Sequence, residues 1–327
     1  MTLGDSPAKP DAFGKVTGDA QYAGDLEPDD VLHAKVVFTD RVHARITSLD
    51  VDTARAMPGV VAVLTATDVP VNEYGLTKYD QPVLIGPDST GRSVVPHDVS
   101  RWEADHLAVV VAESADEATA AALTIGTEWD DLPIVADLDD ALARDAPVLH
   151  PEDGTDSNVY AHLVIRKGDV EQAFASAAHV VEGAYEVPYQ EHAYLQTEAA
   201  LAYIDDAGRV TVETAGQWTH EDQEQIAHAL DLPVDRVRVI YRAIGGAFGG
   251  KEDMSLQIVL GLAASRLQAL GIDRPVRCEW SREESIVGHH KRHRATIHAK
   301  LGATSDGRIT AVDADVLLDA GAYNYTS

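Results

Sequence analysis

The chain has 327 residues, 45% of them hydrophobic, enough apolar material for two substantial cores. Its 26 basic against 54 acidic residues give a formal charge of -28, a surface that repels nucleic acid and anionic membrane; adaptation to a salt-rich cytoplasm would produce the same balance. The single cysteine, Cys278, excludes an internal disulfide framework and any resident iron–sulfur cluster, which needs several thiolates.

In chain order, Met1 to Asp11 lacks the apolar core of a secretory signal and no later apolar run reaches membrane-spanning length, so the expected location is the cytoplasm. Strand patterning covers Val31 to Phe38, followed by a short helix around Thr53 to Met57 that Pro58-Gly59 stops, and a strand from Val60 to Thr65. A turn-rich passage runs from Thr67 to Ser100. Leu107 to Ala112 reads as a buried strand, Ser114 to Glu117 is a capping box opening an Ala-rich helix to Leu123, and Ile125 to Trp129 is a further strand. Pro147 to Asn158, rich in Pro, Gly, Asp and Ser, reads as a linker dividing residues 1–150 from 151–327.

Beyond it, Asp169 caps a helix with Gln172 at its third position, and His179 to Val187 returns as a strand. Ala199 to Ile204 and Arg209 to Thr214 bracket Asp205-Asp206-Ala207-Gly208, a hairpin signature. Thr219 and Asp222 open a helix through Leu230, and Arg236 to Ile244 alternates as a strand. Met254 to Leu270 reads as an amphipathic helix stopped by Gly271. Pro275 to Trp280 is a short strand in which Cys278 is a buried small apolar residue. The basic cluster His289 to Arg294 reads as solvated residues leading into the strand Ala295 to Lys300, ahead of metal binding by three close histidines or contact with an acidic partner. These patterns give mixed α and β structure in two domains.

Between the last long strand and helix stands Gly245-Gly246-Ala247-Phe248-Gly249-Gly250-Lys251-Glu252, a loop whose free backbone N–H groups at a helix start suit an anion. Gly245 to Lys251 meets the G-x-x-x-x-G-K spacing of a nucleotide-binding P-loop, but Glu252 stands where that motif needs Ser or Thr for magnesium. The dinucleotide spacing G-x-G-x-x-G is absent from the run.

Three segments in this order, Gln190-Glu191-His192-Ala193-Tyr194-Leu195-Gln196-Thr197-Glu198, Gly216-Gln217-Trp218-Thr219 and Gly245 to Glu252, resemble the molybdenum-cofactor subunit of the xanthine dehydrogenase and aldehyde oxidase family. Phe13 to Gly18 with Tyr22, His43-Ala44-Arg45-Ile46 before Pro58-Gly59-Val60, and a hairpin from Ala299-Lys300-Leu301-Gly302 to Asp306-Gly307-Arg308-Ile309 extend the resemblance over nearly the whole chain. It implies an α+β fold: an α/β hammerhead-like domain over 1–150, then a first molybdopterin-binding domain over 151–327, incomplete relative to the family.

The same resemblance places Gln217, Gly246, Ala247, Phe248, Gly249 and Gly250 at the cofactor, with Gln217 and Phe248 beside the metal, Gln217 through an uncharged amide donor and Phe248 as lid or wall. Glu252 matches a substrate-touching position in the purine branch, or is a carboxylate at a helix N-terminus; Lys251 is a phosphate partner or an exposed lysine. His192 and Glu198 lack a zinc-motif spacing, and structural hydrogen bonding is the reading for His192.

Family members have a longer subunit whose second half supplies further pterin contacts, a substrate-side arginine and a glutamate base, whereas this chain stops at Ser327, with only Asp313, Asp315 and Asp319 as late carboxylates outside that context. Arg101-Trp102-Glu103 also departs from the family's glycine-containing turn near the interface with the cluster subunit. The implied whole is a molybdenum hydroxylase component, with no catalytic residue of its own, that needs a second molybdopterin-domain chain. Its cofactor is molybdenum–molybdopterin in a dinucleotide form, and iron–sulfur and flavin groups ride on partner subunits. The competing reading is a non-catalytic cofactor-binding or assembly module, or an inactive remnant.

Overall fold

The computed structural model describes residues 4–324, so the first residues of the leader reading and the terminus at Ser327 fall outside it. The strands are β1 (Leu32–Phe38), β2 (Ala44–Asp50), β3 (Val60–Leu64), β4 (Val99–Ser100), β5 (His106–Ala112), β6 (Gly126–Asp131), β7 (His179–Val187), β8 (Ala199–Ile204), β9 (Val210–Thr214), β10 (Val237–Tyr241), β11 (Val276–Glu279), β12 (Arg294–Ala303) and β13 (Ile309–Asp319). The helices are α1 (Ala12–Thr17), α2 (Asp52–Arg55), α3 (Ala115–Ala122), α4 (Leu138–Leu142), α5 (Val170–Ser176), α6 (Thr219–Ala229), α7 (Gln257–Ala269) and α8 (Arg282–Gly288).

The central sheet has the order β10-β9-β8-β11-β1-β5-β3, so strands from both sides of the linker share one sheet. The junction is a parallel pair in which Leu32 of β1 registers with Val276 of β11, while β10 runs parallel to β9 from Val237↔Val210 to Tyr241↔Thr214. The core is correspondingly continuous: Leu32, Val36, Val109 and Val111 bury against Val212, Ile226, Leu260, Val276 and Trp280. Two three-stranded antiparallel sheets flank it, β13-β12-β7 and β4-β2-β6.

Local signals account for several boundaries. Ser114, Asp137, Asp169 and Ser281 each accept a backbone N–H of the first helical turn, at Glu117, Asp140, Gln172 and Glu284. Gly271 takes φ +77° after α7, the left-handed stop that glycine tolerates.

Helix α7 corrects an expectation. It is buried on every side from Gln257 to Ala264, because it packs on β8, β9 and β11 with α6 alongside; a one-sided apolar stripe is therefore the wrong description. The turn-rich passage is likewise no surface loop. Val69, Val71, Val83, Leu84 and Ile85 are buried, and the Asn72 carboxamide holds the main chain of Leu84 through both donor and acceptor at 2.9 and 3.0 Å. Strand β2 and helix α1 carried no predicted element. Among the described residues no helix is long and apolar enough to cross a membrane.

Candidate functional site

Adjacent parallel strands deliver their following loops to the same end of a sheet, where ligand sites of α/β sheets form. Here β9 leads into Gly216-Gln217 and β10 into the glycine loop, so two segments far apart in sequence emerge side by side. Beyond the strands the pairing persists: Arg242 N donates to Thr214 O at 2.9 Å.

Gln217 and Lys251 are joined twice. The Gln217 N–H donates to Lys251 O at 3.0 Å, and the Lys251 N–H donates to Gln217 Oε1 at 3.3 Å. A backbone donor facing Oε1 fixes which end of the amide is oxygen and turns the NH2 group outward, where the residue is exposed. Beneath it, Trp218 N donates to the Tyr241 hydroxyl at 3.2 Å, and that hydroxyl donates to Asp222 Oδ2 at 2.8 Å, which also accepts Gln257 Nε2 at 3.2 Å. Burial pushes the Asp222 carboxyl up to about 7, against the two hydrogen bonds that favour its charge.

The glycine loop departs from its expected helix-start geometry. Helix α7 begins only at Gln257, and the loop's donors are used locally: Gly250 N donates to Ala247 O at 2.9 Å and Gly245 N to Gln196 Oε1 at 2.7 Å. The glycines divide into two roles. Gly246 and Gly249 take φ +98° and +93°, conformations that a Cβ disfavours. Gly245 and Gly250 leave room for the 192–196 segment, since a Cβ there would lie 2.7 Å from Gln196 Cβ and 2.8 Å from the His192 and Tyr194 rings. Between them Phe248 holds φ +56° and is 77% exposed, a loop tip whose aromatic ring faces outward; Ala247 is buried behind it.

Neither expected role of Lys251 survives. The side chain is buried, with Nζ donating to Gln196 O at 2.9 Å and standing 4.4 Å over the Tyr194 ring, and burial pulls its ammonium down to about 8. Glu252 is no helix-terminal carboxylate either, because it precedes Gln257 by several residues.

The 190–198 segment lies against the loop. Tyr194 is fully buried and its hydroxyl donates to Glu198, while Arg282 binds the Tyr194 and Leu195 carbonyls at 2.8 and 2.7 Å. His289, expected in solvent, is buried within 3.0 Å of Glu191 Oε1, its ring 5.0 Å from Tyr194. The expected hydrogen bonding of His192 is not seen at Nδ1, which is buried without a partner. Trp102, the departure near the expected subunit interface, lies against His290 of the same chain at 5.6 Å between rings.

Residues 149–327 match the molybdopterin cofactor-binding domain, and residues 17–133 match the aldehyde oxidase and xanthine dehydrogenase a/b hammerhead domain. The chain belongs to the xanthine dehydrogenase and aldehyde oxidase family. It is 36% identical over 99% of its length to the nicotinate dehydrogenase large molybdopterin subunit of Eubacterium barkeri, covering 72% of that protein. It is 31% identical over 96% of its length to the xanthine dehydrogenase molybdenum-binding subunit of Escherichia coli O157:H7, covering 41% of it. The aldehyde oxidoreductase of Desulfovibrio gigas superposes with TM-score 0.83 at 29% identity, over 95% of this chain and 34% of that one. The chain thus spans well under half of two of these three relatives.

In this family setting the outward amide of Gln217 and the exposed Phe248–Gly249 tip fit one side of a pterin-held metal: an uncharged donor, an aromatic wall, and backbone without a side chain in the way. Through the Lys251 main chain the structure ties Gln217 to the loop that carries Gly246, Ala247, Phe248, Gly249 and Gly250. Gln196, Tyr241 and Asp222 were not singled out in the sequence. Gln196 stood within a quoted segment, while Tyr241 and Asp222 carried no signal beyond strand and helix patterning.

Proposed function

We propose that this chain forms one side of the cofactor site in a molybdenum hydroxylase and turns over only with a second molybdopterin-domain polypeptide. The observation that carries this reading is the Gln217 amide, fixed with its donor outward by the N–H of Lys251, which lies on the same loop that exposes Phe248. Residues 1–150 serve as the hammerhead-like domain and 151–327 as the cofactor domain. The 72% coverage of a relative named a large molybdopterin subunit supports the existence of short cofactor subunits in this family.

When bound, molybdopterin, here in its dinucleotide form, supplies a two-electron metal centre for oxygen insertion at an electron-poor carbon of a small molecule. The chain's own residues position: Gln217 directs an uncharged donor at the metal side, Phe248 excludes water from it, and Gly249 permits close backbone approach. Gly246, Ala247 and Gly250 shape the loop, and Glu252 meets the substrate. Iron–sulfur and flavin groups on partner subunits would take up the electrons, and the complex works in the cytoplasm. The exposed Val181, Tyr185, Val312, Val316 and Leu318 of the β13-β12-β7 sheet provide an apolar surface that the second polypeptide would cover.

The test is purification of the chain alone and with a co-expressed second cofactor-domain polypeptide, followed by molybdenum and pterin analysis and assays with xanthine, aldehydes and carbon monoxide. Turnover by the isolated chain overturns the reading. A complex that holds cofactor without any turnover marks an assembly module, and one without cofactor an inactive remnant.

A further inference from the structure

Glu191, His192 and His289 come from two segments about a hundred residues apart, and each offers a ligand atom within 4.8 Å of the others. Among the described residues this is the one place where three such atoms converge. The ring of His289 is buried, and its Nδ1 contacts the Ser285 carbonyl, which cannot donate; Nδ1 therefore carries the proton and Nε2 presents a lone pair. That lone pair faces Glu191 Oε1 at 3.0 Å without hydrogen-bond geometry.

Two acceptors at this distance repel each other unless a proton or a cation lies with them. A shared metal ion resolves the contact. Tetrahedral ligands about 2.0–2.2 Å from one ion sit roughly 3.3–3.6 Å apart, so Glu191 Oε1 and His289 Nε2, 3.0 Å apart, would part slightly around it while His192, within 4.8 Å of both, closes in. The surroundings add a second sign of a missing partner: His192 Nδ1, buried, has no hydrogen bond, and neither does Oε2 of Glu198, whose other oxygen lies 3.8 Å from His289 Nδ1.

We propose that Glu191, His192 and His289 form a binding site for a divalent first-row transition ion of the zinc class. Two imidazoles with one carboxylate favour Zn2+, Co2+ or Ni2+ over Mg2+ or Ca2+, which prefer oxygen. The Ser285 carbonyl fixes the His289 tautomer, as backbone acceptors do for metal-bound imidazoles. Lys291 Nζ stands 3.1 Å from the second carboxylate oxygen, Glu191 Oε2, and weakens the site by drawing charge from its ligand. The ion would tie the 190–198 segment to the end of α8 directly behind the glycine loop, where a Cβ on Gly250 already touches His192.

The test reads metal binding alone and so does not depend on the molybdopterin reading. The untagged 327-residue chain is titrated with Zn2+ by calorimetry and with Co2+ by visible absorption, with circular dichroism as a check on folding. One equivalent should bind, and His192→Ala and His289→Gln should each weaken it at least tenfold. Lys291→Ala, at a half-exposed position, should tighten it several-fold. No cobalt spectrum in the folded wild-type chain overturns the proposal, as does binding that both histidine variants leave unchanged. An unaltered or weaker affinity in Lys291→Ala overturns the assignment of Glu191.

Discussion

Gln217 and Lys251 hold each other through two hydrogen bonds, main chain to main chain at 3.0 Å and main chain to side chain at 3.3 Å. The loop after β9 and the loop after β10 therefore form one unit at a single sheet end. Lys251 in turn anchors inward through Nζ to Gln196 O, so the outward Gln217 amide rests on a buried support.

That arrangement separates two functions of one side chain. Gln217→Glu keeps an acceptor for the Lys251 N–H but has no donor to direct outward. Its folding stability should stay within about 1 kcal/mol of wild type, since the supporting bond is retained. Turnover of the assembled complex should fall by roughly 10²–10³, as for loss of one positioned donor. Urea unfolding and steady-state rates check the pair, and wild-type turnover in this variant would remove Gln217 from the site.

Phe248 and Gly250 should respond in opposite directions. Phe248 holds φ +56° while 77% exposed, a conformation that costs an L-residue about 1 kcal/mol with little burial in return. Phe248→Gly should raise the melting temperature of the isolated chain and lower cofactor retention in the complex. Gly250→Ala places a Cβ 2.8 Å from both His192 and the buried Tyr194, and should cost about 1–3 kcal/mol. A thermal melt in which Phe248→Gly is destabilised would show that the ring packs in a way its exposure does not suggest.

Cys278 should be silent toward thiol reagents. It is buried in β11, and desolvation pushes its thiol up to about 12, leaving almost no thiolate at neutral pH. A colorimetric disulfide reagent should label no thiol in the native chain and one after denaturation. Rapid native labelling would mean that β11, the strand joining the two halves of the central sheet, opens readily.

Much of this was legible in the residues. Period-two alternation placed β10, an apolar run placed β5, the Asp205–Gly208 turn marked the β8–β9 hairpin, and Ser114 and Asp169 marked helix starts, because those signals are local. The glycine loop was legible as a close-approach loop between strand and helix, but the reason for Gly245 and Gly250 was not: their neighbours are Gln196, His192 and Tyr194, brought there only by tertiary packing. The same holds for Lys251 and His289, whose polar side chains turn inward against sequence expectation because Gln196 O and Ser285 O accept from them inside. Composition could not distinguish a surface loop from the buried passage around Leu84, since Asn72 supplies the hydrogen bonds that a strand would otherwise provide. The sharing of one sheet across the linker is a long-range pairing of Leu32 with Val276, which no local pattern encodes.

The last prediction concerns pH and Asp222. Its carboxyl is 1% exposed and pushed up to about 7 by burial, far above its value of 3.8 in an unfolded chain. Between those values the folded state binds a proton that the unfolded state has released, so this group's stabilisation is complete below about pH 4 and is lost as pH rises to 7. Asp105, pushed up to about 6 by burial, contributes in the same direction over a narrower window. Asp222→Asn retains a carbonyl oxygen for the Tyr241 hydroxyl and Gln257 Nε2 but carries no charge. Urea unfolding should find the variant about 1–2 kcal/mol more stable than wild type at pH 8. The gap should narrow toward pH 5, with the residual slope of Asp105 remaining. Stability curves that run parallel for the two proteins across this range would show that Asp222 stays charged in the fold, and that the hydroxyl beneath Trp218 is held by a carboxylate at every pH tested.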